Sequence, residues 1–187
     1  MLWILVVIAV AALVGFVRGG KLANLVELRV SGLALLVIGF AMQFGSSFLP
    51  DTQRGLAVGL LLGSYLPILL FAWLNRQAAG MWIVGVGILM NFSVIALNGG
   101  MPVLAEAAEL AGVSTTDLAS AAKYVSLDQT TRLAFLADII PLPGAVVSLG
   151  DVLLAAGLGV FVEDELRRPP RLFARGVQAV PGSAAER

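Results

Sequence analysis

The amino-acid sequence predicts an all-α fold: an integral membrane helical bundle of about five transmembrane helices with a partly helical external segment. Three observations carry that prediction. Of the 187 residues, 59% are hydrophobic and only 13% are charged, whereas soluble domains hold about 45–50% apolar and about 25% charged residues. Five apolar stretches, Leu2–Val17, Val30–Leu49, Gly55–Leu74, Gly80–Leu97 and Val146–Val162, come near the ~20 residues that a helix needs to cross a bilayer. The basic residues between those stretches fall mainly on one side of a five-span arrangement, as the positive-inside rule requires.

The first stretch is short and carries a small-x-small site at Ala9-Val10-Ala11, so it invites comparison with a cleaved signal. No positive residue precedes it, however, and Arg18 and Lys21 follow it. That is the wrong charge order for a signal peptide, and the stretch reads as a retained helix. The turn Arg18-Gly19-Gly20-Lys21-Leu22 comes next, with paired glycines that allow positive φ. Arg18 and Lys21 are candidates to touch anionic lipid headgroups, although a plain topology anchor is the favoured explanation. The third stretch places Gly55, Gly59 and Gly63 at four-residue spacing on one face, a pattern that permits close helix approach. Internal packing is preferred for it over a dimer seam. Pro67 further along is expected to kink that helix near Ser64, whose hydroxyl would satisfy a freed carbonyl.

Asn98-Gly99-Gly100-Met101-Pro102 stops the fourth helix and opens the external segment, residues 98–145. Within it Val103–Ala111 reads as a short helix, and Ser114-Thr115-Thr116-Asp117 as a capping box opening another through about Tyr124. Thr130–Ile140 is amphipathic and too short to span, so it would lie in the interface or dip inward and return. The transmembrane domain is taken as residues 1–162. Residues 163–187 are expected to be a cytoplasmic tail, largely disordered or lying on the inner surface. Arg18, Lys21, Arg29, Arg76, Arg167, Arg168, Arg171, Arg175 and Arg187 then share one side, and Arg54, Lys123 and Arg132 the other. This puts the N-terminus outside and the C-terminus in the cytoplasm.

Several function classes fall away on composition. With no cysteine and no histidine, thiol chemistry, Cys/His zinc sites, histidine-ligated haem and a Ser-His-Asp triad are absent. Net charge is zero, so nothing points to nucleic acid, and neither a metal nor a cofactor is expected. Polar residues inside spans are costly and by default mark function or a paired interior site. Asp151 lies near the outer end of the last stretch, with Asp138 shortly before it across Pro141-Leu142-Pro143. Asn91 and Asn98, seven residues apart, share a face of the fourth helix, and Gln43 lies toward the outer half of the second. Gln43, Asn91, Asn98, Asp138 and Asp151 are therefore candidates for an outward-opening polar pocket. Amides and carboxyls between membrane helices also serve as simple hydrogen-bond glue, worth about 0.6 kcal/mol each. Asp138 and Asp151 are the only catalytic candidates, as an aspartic pair that shares a proton to activate water.

The blocks Gly85-Val86-Gly87-Ile88-Leu89-Met90-Asn91, Asn98-Gly99-Gly100-Met101-Pro102-Val103, Leu136-Ala137-Asp138-Ile139-Ile140-Pro141 and Ser148-Leu149-Gly150-Asp151-Val152-Leu153-Leu154 are distinctive together. With Arg18-Gly19-Gly20 and Gln43, they resemble a bacterial multi-pass membrane family catalogued only as a domain of unknown function, number 5317. The resemblance runs from about Phe16 to Val162. It implies a small bacterial inner-membrane protein, most often actinobacterial or clostridial, and supplies no activity. Members often carry a histidine near Lys123-Tyr124; its absence here weakens any proposal that needs a metal or an imidazole base. A fainter likeness is to the lipoprotein signal peptidase, a membrane aspartic protease, with Asp151 in the place of its second carboxylate. Its first carboxylate and following arginine would fall where this chain has Val94 and Ile95, so only topology remains of that likeness.

The expected function is therefore a non-enzymatic accessory subunit or a membrane protein that binds lipid or a protein partner. The alternatives are a carrier of small solutes or lipid through the outer pocket and, less favoured, an aspartate-dependent intramembrane hydrolase.

Overall fold

The computed structural model describes residues 2–27, 30–114 and 123–168. The fold is mostly helical. Its helices are α1 (Leu2–Val17), α2 (Leu33–Ser46), α3 (Arg54–Leu74), α4 (Met81–Asn98), α5 (Ala105–Leu110) and α6 (Leu149–Arg167). Short strands β1 (Met101–Val103), β2 (Tyr124–Ser126), β3 (Ile140–Leu142) and β4 (Ala145–Val147) lie between α4 and α6. Each of the five apolar stretches contains a helix, although Val146 and Val147 of the last belong to β4. By length and composition α3 and α4 are able to cross a membrane, while α1 and α2 are apolar but shorter.

The long helices pack in the order α2, α3, α4, α6, α1. The core between α3, α4 and α6 gathers Leu61, Tyr65, Ile68, Val84, Ile88 and Val94, with Leu154 and Leu158 packed against it. The two flanking helices leave large apolar side chains uncovered, among them Leu5, Val10 and Leu13 on α1 and Val37, Phe40 and Phe44 on α2. The closest seam is between α4 and α6. A methyl on Gly87 would collide with the backbone of Gly150 and Leu154, and one on Gly157 with Gly80 and Val84. By contrast, the stripe expected to pack internally does not: Gly55 and Gly59 face open space, and Gly63 meets only the tip of Met42. Pro67 is accommodated inside an unbroken α3, where the Ser64 hydroxyl donates to the Leu61 carbonyl at 2.5 Å.

Both ends of the bundle are laced. At one end Arg18 pairs with Glu163 at 3.0 Å, and the Lys21 amide and the Asn24 side chain both donate to the Leu166 carbonyl. There too Asn75 at the end of α3 accepts from the Ser31 amide at 2.8 Å and donates to its carbonyl at 2.9 Å. At the opposite end Arg54 donates to the Tyr124 carbonyl at 3.0 Å.

Three expectations need correcting. The segment after α4 is partly helical, and Gly99 and Gly100, both with positive φ, turn the chain into β1. β1 pairs with β2 in parallel register, Met101 to Tyr124, so the helix expected over 103–111 is confined to α5. Residues 130–140 form no amphipathic helix. Thr130 and Thr131 are engaged by Asp128 in a turn, Leu133 adopts left-handed φ 53°, and Ile140–Leu142 pairs with Ala145–Val147 across Pro143-Gly144. The last helix starts at Leu149 and continues to Arg167, through residues assigned to the tail. Ion pairs Arg167–Glu163 at 3.1 Å and Arg168–Asp164 at 2.7 Å support that extra turn. The helix expected from Ser114 toward Tyr124, the rest of the tail, and Arg29, Arg171, Arg175 and Arg187 fall wholly or largely outside the described residues.

Candidate functional site

A cavity of about 250 Å³ opens where α2, α3, α4 and α6 meet the strands. Its polar lining is Gln43 from α2, Tyr65 from α3, Asn91 from α4, Asp151 from α6, and Lys123, Tyr124 and Asp138 from the intervening segment. Leu61, Ile95, Met101 and Ala145 to Val147 supply the apolar wall.

Asp151 is placed by the start of its own helix. Ser148 caps α6: its hydroxyl accepts from the Asp151 amide at 3.1 Å, and the Asp151 Oδ2 accepts from the Ser148 amide at 3.1 Å. This is the reciprocal capping box of an S-x-x-D sequence. Asn91 closes the ring. Its Nδ2 donates to Asp151 Oδ1 at 2.7 Å and its Oδ1 accepts from the Ser148 hydroxyl at 2.9 Å. Gly150 makes the approach possible, since a methyl there would overlap the Asn91 amide. Each Asp151 oxygen thus has one donor, fixed on two facing helices, with further lone pairs free for the cavity.

Asp138 is placed by the backbone of β1. Its amide donates to the Pro102 carbonyl at 2.9 Å, and its carbonyl accepts from the Leu104 amide at 3.0 Å. The residue is 6% exposed, and its Oδ1 has no hydrogen-bond partner among the described residues. Burial pushes this carboxyl up to about 8; the charge on Asp151 adds to the rise, and Lys123 offsets part of it. The Tyr124 phenol is pushed up to about 12, chiefly by burial and then by Asp138 and Asp151. At neutral pH Asp138 keeps its proton beside the fixed Asp151, and the pair can donate and accept within one cavity. Among the described residues no group of three or more acidic side chains is placed to hold a metal ion.

A family model described as a family of unknown function, DUF5317, matches residues 27–163. The chain belongs to this family. It is also 28% identical over 148 residues to an uncharacterised protein of Thermotoga maritima, a match covering 76% of this chain and 80% of that one. No solved structure matches it significantly.

In this DUF5317 chain Gln43, Asn91, Asp138 and Asp151 converge on the cavity. Asn98 does not line it. Its side chain instead donates to the Arg132 carbonyl at 2.8 Å and accepts from the Arg132 amide at 2.9 Å, pinning the segment between α4 and α6 to the end of α4. Arg18 is engaged by Glu163, and Lys21 is exposed at the same end. The sequence reading overlooked Tyr65, Lys123, Tyr124 and Ser148 as site residues. Ser148 carried a usable signal, the S-x-x-D spacing ahead of an apolar run. Tyr65 carried a weaker one, a phenol within an apolar span that needs a polar neighbour.

Proposed function

We propose that this DUF5317 member is a five-span inner-membrane protein, N-terminus outside, whose outward-opening cavity binds a polar small molecule or lipid headgroup. The uncovered apolar faces of α1 and α2 and the buried polar cluster favour a bilayer over water as the surrounding medium. The lacing supports five alternating spans. Residues 18–24 meet the end of α6, and Ser31 meets the end of α3, while Arg54 meets β2 at the opposite end. α6 is about 28 Å long, with the half-buried Asp151 at one end and its ion pairs at the other.

One observation carries the binding function. Asp138 lines the cavity, and its Oδ1 is shut off from solvent and without a hydrogen-bond partner among the described residues. Leaving such a group unmet costs about 1–3 kcal/mol, and a donor from a ligand removes that cost. Native mass spectrometry of the protein in mild detergent tests this: the wild type is expected to retain a small molecule or lipid that Asp138→Asn loses. Retention of a stoichiometric protein partner instead, unchanged by that substitution, would make the chain an accessory subunit. A carrier role is less favoured, because the sequence shows no evident inverted repeat.

A second reading has a specific observation in its favour. Asp138 and Asp151 line one cavity, one keeping its proton to about pH 8 and the other held by Asn91 and Ser148. Two carboxyls lining one cavity are the parts that acid–base hydrolysis uses. An experimental structure with the carboxyls more than about 8 Å apart would remove the shared-water form of this chemistry.

A further inference from the structure

We infer that the cavity is built for a zwitterion, with a primary ammonium against Asp138 and a phosphate or carboxylate against Lys123. The inference rests on the binding function proposed above and names the ligand's chemistry. Two groups without an ion-pair partner among the described residues line the same cavity, one a carboxyl and the other an ammonium. Asp138 presents a carboxyl oxygen with no partner among the described residues. Lys123 holds its ammonium over the Tyr124 ring, 5.1 Å from the centroid, with no carboxylate within ion-pair distance among the described residues. The two feel one another's charge yet do not pair, so a gap separates them.

A simple cation entering that gap would be repelled by Lys123. A simple anion would be repelled by Asp151, whose two donors come from Asn91 and Ser148 and not from Lys123. A molecule carrying both charges a few bonds apart satisfies both groups at once. Tyr65 and Tyr124 also line the cavity. At about 250 Å³ the cavity is small beside ordinary ligand pockets of about 300–1,000 Å³. It has room for a headgroup or an amino-acid-sized molecule and none for an acyl chain. Either an aminophospholipid headgroup or a free zwitterion would present this chemistry.

Binding an ammonium requires Asp138 to give up its proton. The charged and titratable groups facing it are Asp151 from α6, Tyr65 from α3, and Lys123 and Tyr124 beside β2; α4 contributes the non-titrating Asn91. Affinity is therefore expected to rise with pH by up to about tenfold per unit below about 8 and to level off above it.

The test is native mass spectrometry of the detergent-solubilised full chain, titrated with three probes. These are short-chain phosphatidylethanolamine, short-chain phosphatidylglycerol and free phosphoethanolamine, each at pH 6, 7 and 8. The expected result is at least tenfold tighter binding of phosphatidylethanolamine than of phosphatidylglycerol. That preference should grow with pH and be lost in Asp138→Asn, whereas Lys123→Gln should weaken both lipids and leave the preference in place, with melting curves checking that the variants fold. Phosphoethanolamine binding as tightly as the lipid supports the same chemistry from a soluble source. If both lipids bind equally and both variants weaken them equally, the zwitterion is overturned while the binding cavity stands. If no probe binds in a way that either variant alters, both readings fall.

Discussion

Asp138 remains protonated at neutral pH because ionising it would place a second negative charge in a poorly hydrated cavity that already holds Asp151. That proton links folding to pH. In the unfolded chain the carboxyl ionises in its ordinary range near 4, whereas in the folded chain it ionises near 8. Its contribution to stability is therefore present in full below about pH 4 and is lost as the pH rises to about 8. The loss is on the order of 5 kcal/mol at most. Asp138→Asn cannot ionise. Its melting temperature is expected to fall less than that of the wild type between pH 5 and pH 8, and to exceed it at pH 8. Differential scanning fluorimetry in detergent reads this directly, and parallel pH profiles for the two proteins would refute the assignment. Much of this site was legible in the sequence: the two aspartates, Asn91 and Gln43 stand out because polar groups are scarce among apolar ones. Lys123 and Tyr124 were not legible, since they join the cavity only through the pairing of β2 with β1. Nothing local in the residues around 124 announces a parallel partner more than twenty positions away.

The helices themselves were legible because each is an apolar run bounded by polar or glycine residues. Which glycines matter was not, because spacing shows that a face is smooth without showing what lies against it. The four-residue stripe of Gly55, Gly59 and Gly63 drew attention, yet Gly55 and Gly59 face open space. The tight seam is made by Gly80 and Gly87 of the α4 arm against Gly150 and Gly157 of α6, with a seven-residue interval on each side. A Cβ at Gly157 would lie 2.7 Å from the Gly80 carbonyl oxygen and 2.7 Å from the Val84 amide, both backbone atoms that cannot rotate aside. Gly157→Ala must therefore push α4 and α6 apart, at an expected cost of about 1–3 kcal/mol. It should also disturb the Asn91–Asp151 contact two turns away. Gly59→Ala adds a methyl in open space and is expected to be neutral or stabilising by up to about 1 kcal/mol. Thermal unfolding of the two variants side by side distinguishes these outcomes. Equal effects would mean that the seam is not where the helices meet.

At the scale of the whole molecule, polar groups are concentrated at the two ends and in one interior cavity, while the flanking helices present apolar side chains outward. In water that distribution would be unstable, because large contiguous apolar surfaces associate. In a bilayer it is the low-energy arrangement, and the end-to-end lacing then defines sides. Arg18 and Glu163 lie together at one end with Asn75 and Ser31, and Arg54, Asn98 and the cavity lie at the other. In the proposed five-span arrangement, the excess of basic residues at the Arg18 end would put that end in the cytoplasm. The chain has no cysteine, so single introduced thiols report this without interference. Thr130→Cys and Gln77→Cys both replace exposed side chains, one in the outer segment and one in the turn between α3 and α4. In intact cells a membrane-impermeant maleimide is expected to label Thr130→Cys fully and to leave Gln77→Cys unlabelled until the membrane is opened. Labelling in the reverse order would invert the orientation and turn the cavity toward the cytoplasm. Labelling of both sites in intact cells would mean that the two ends are not separated by a membrane, and the five-span arrangement would fail with it.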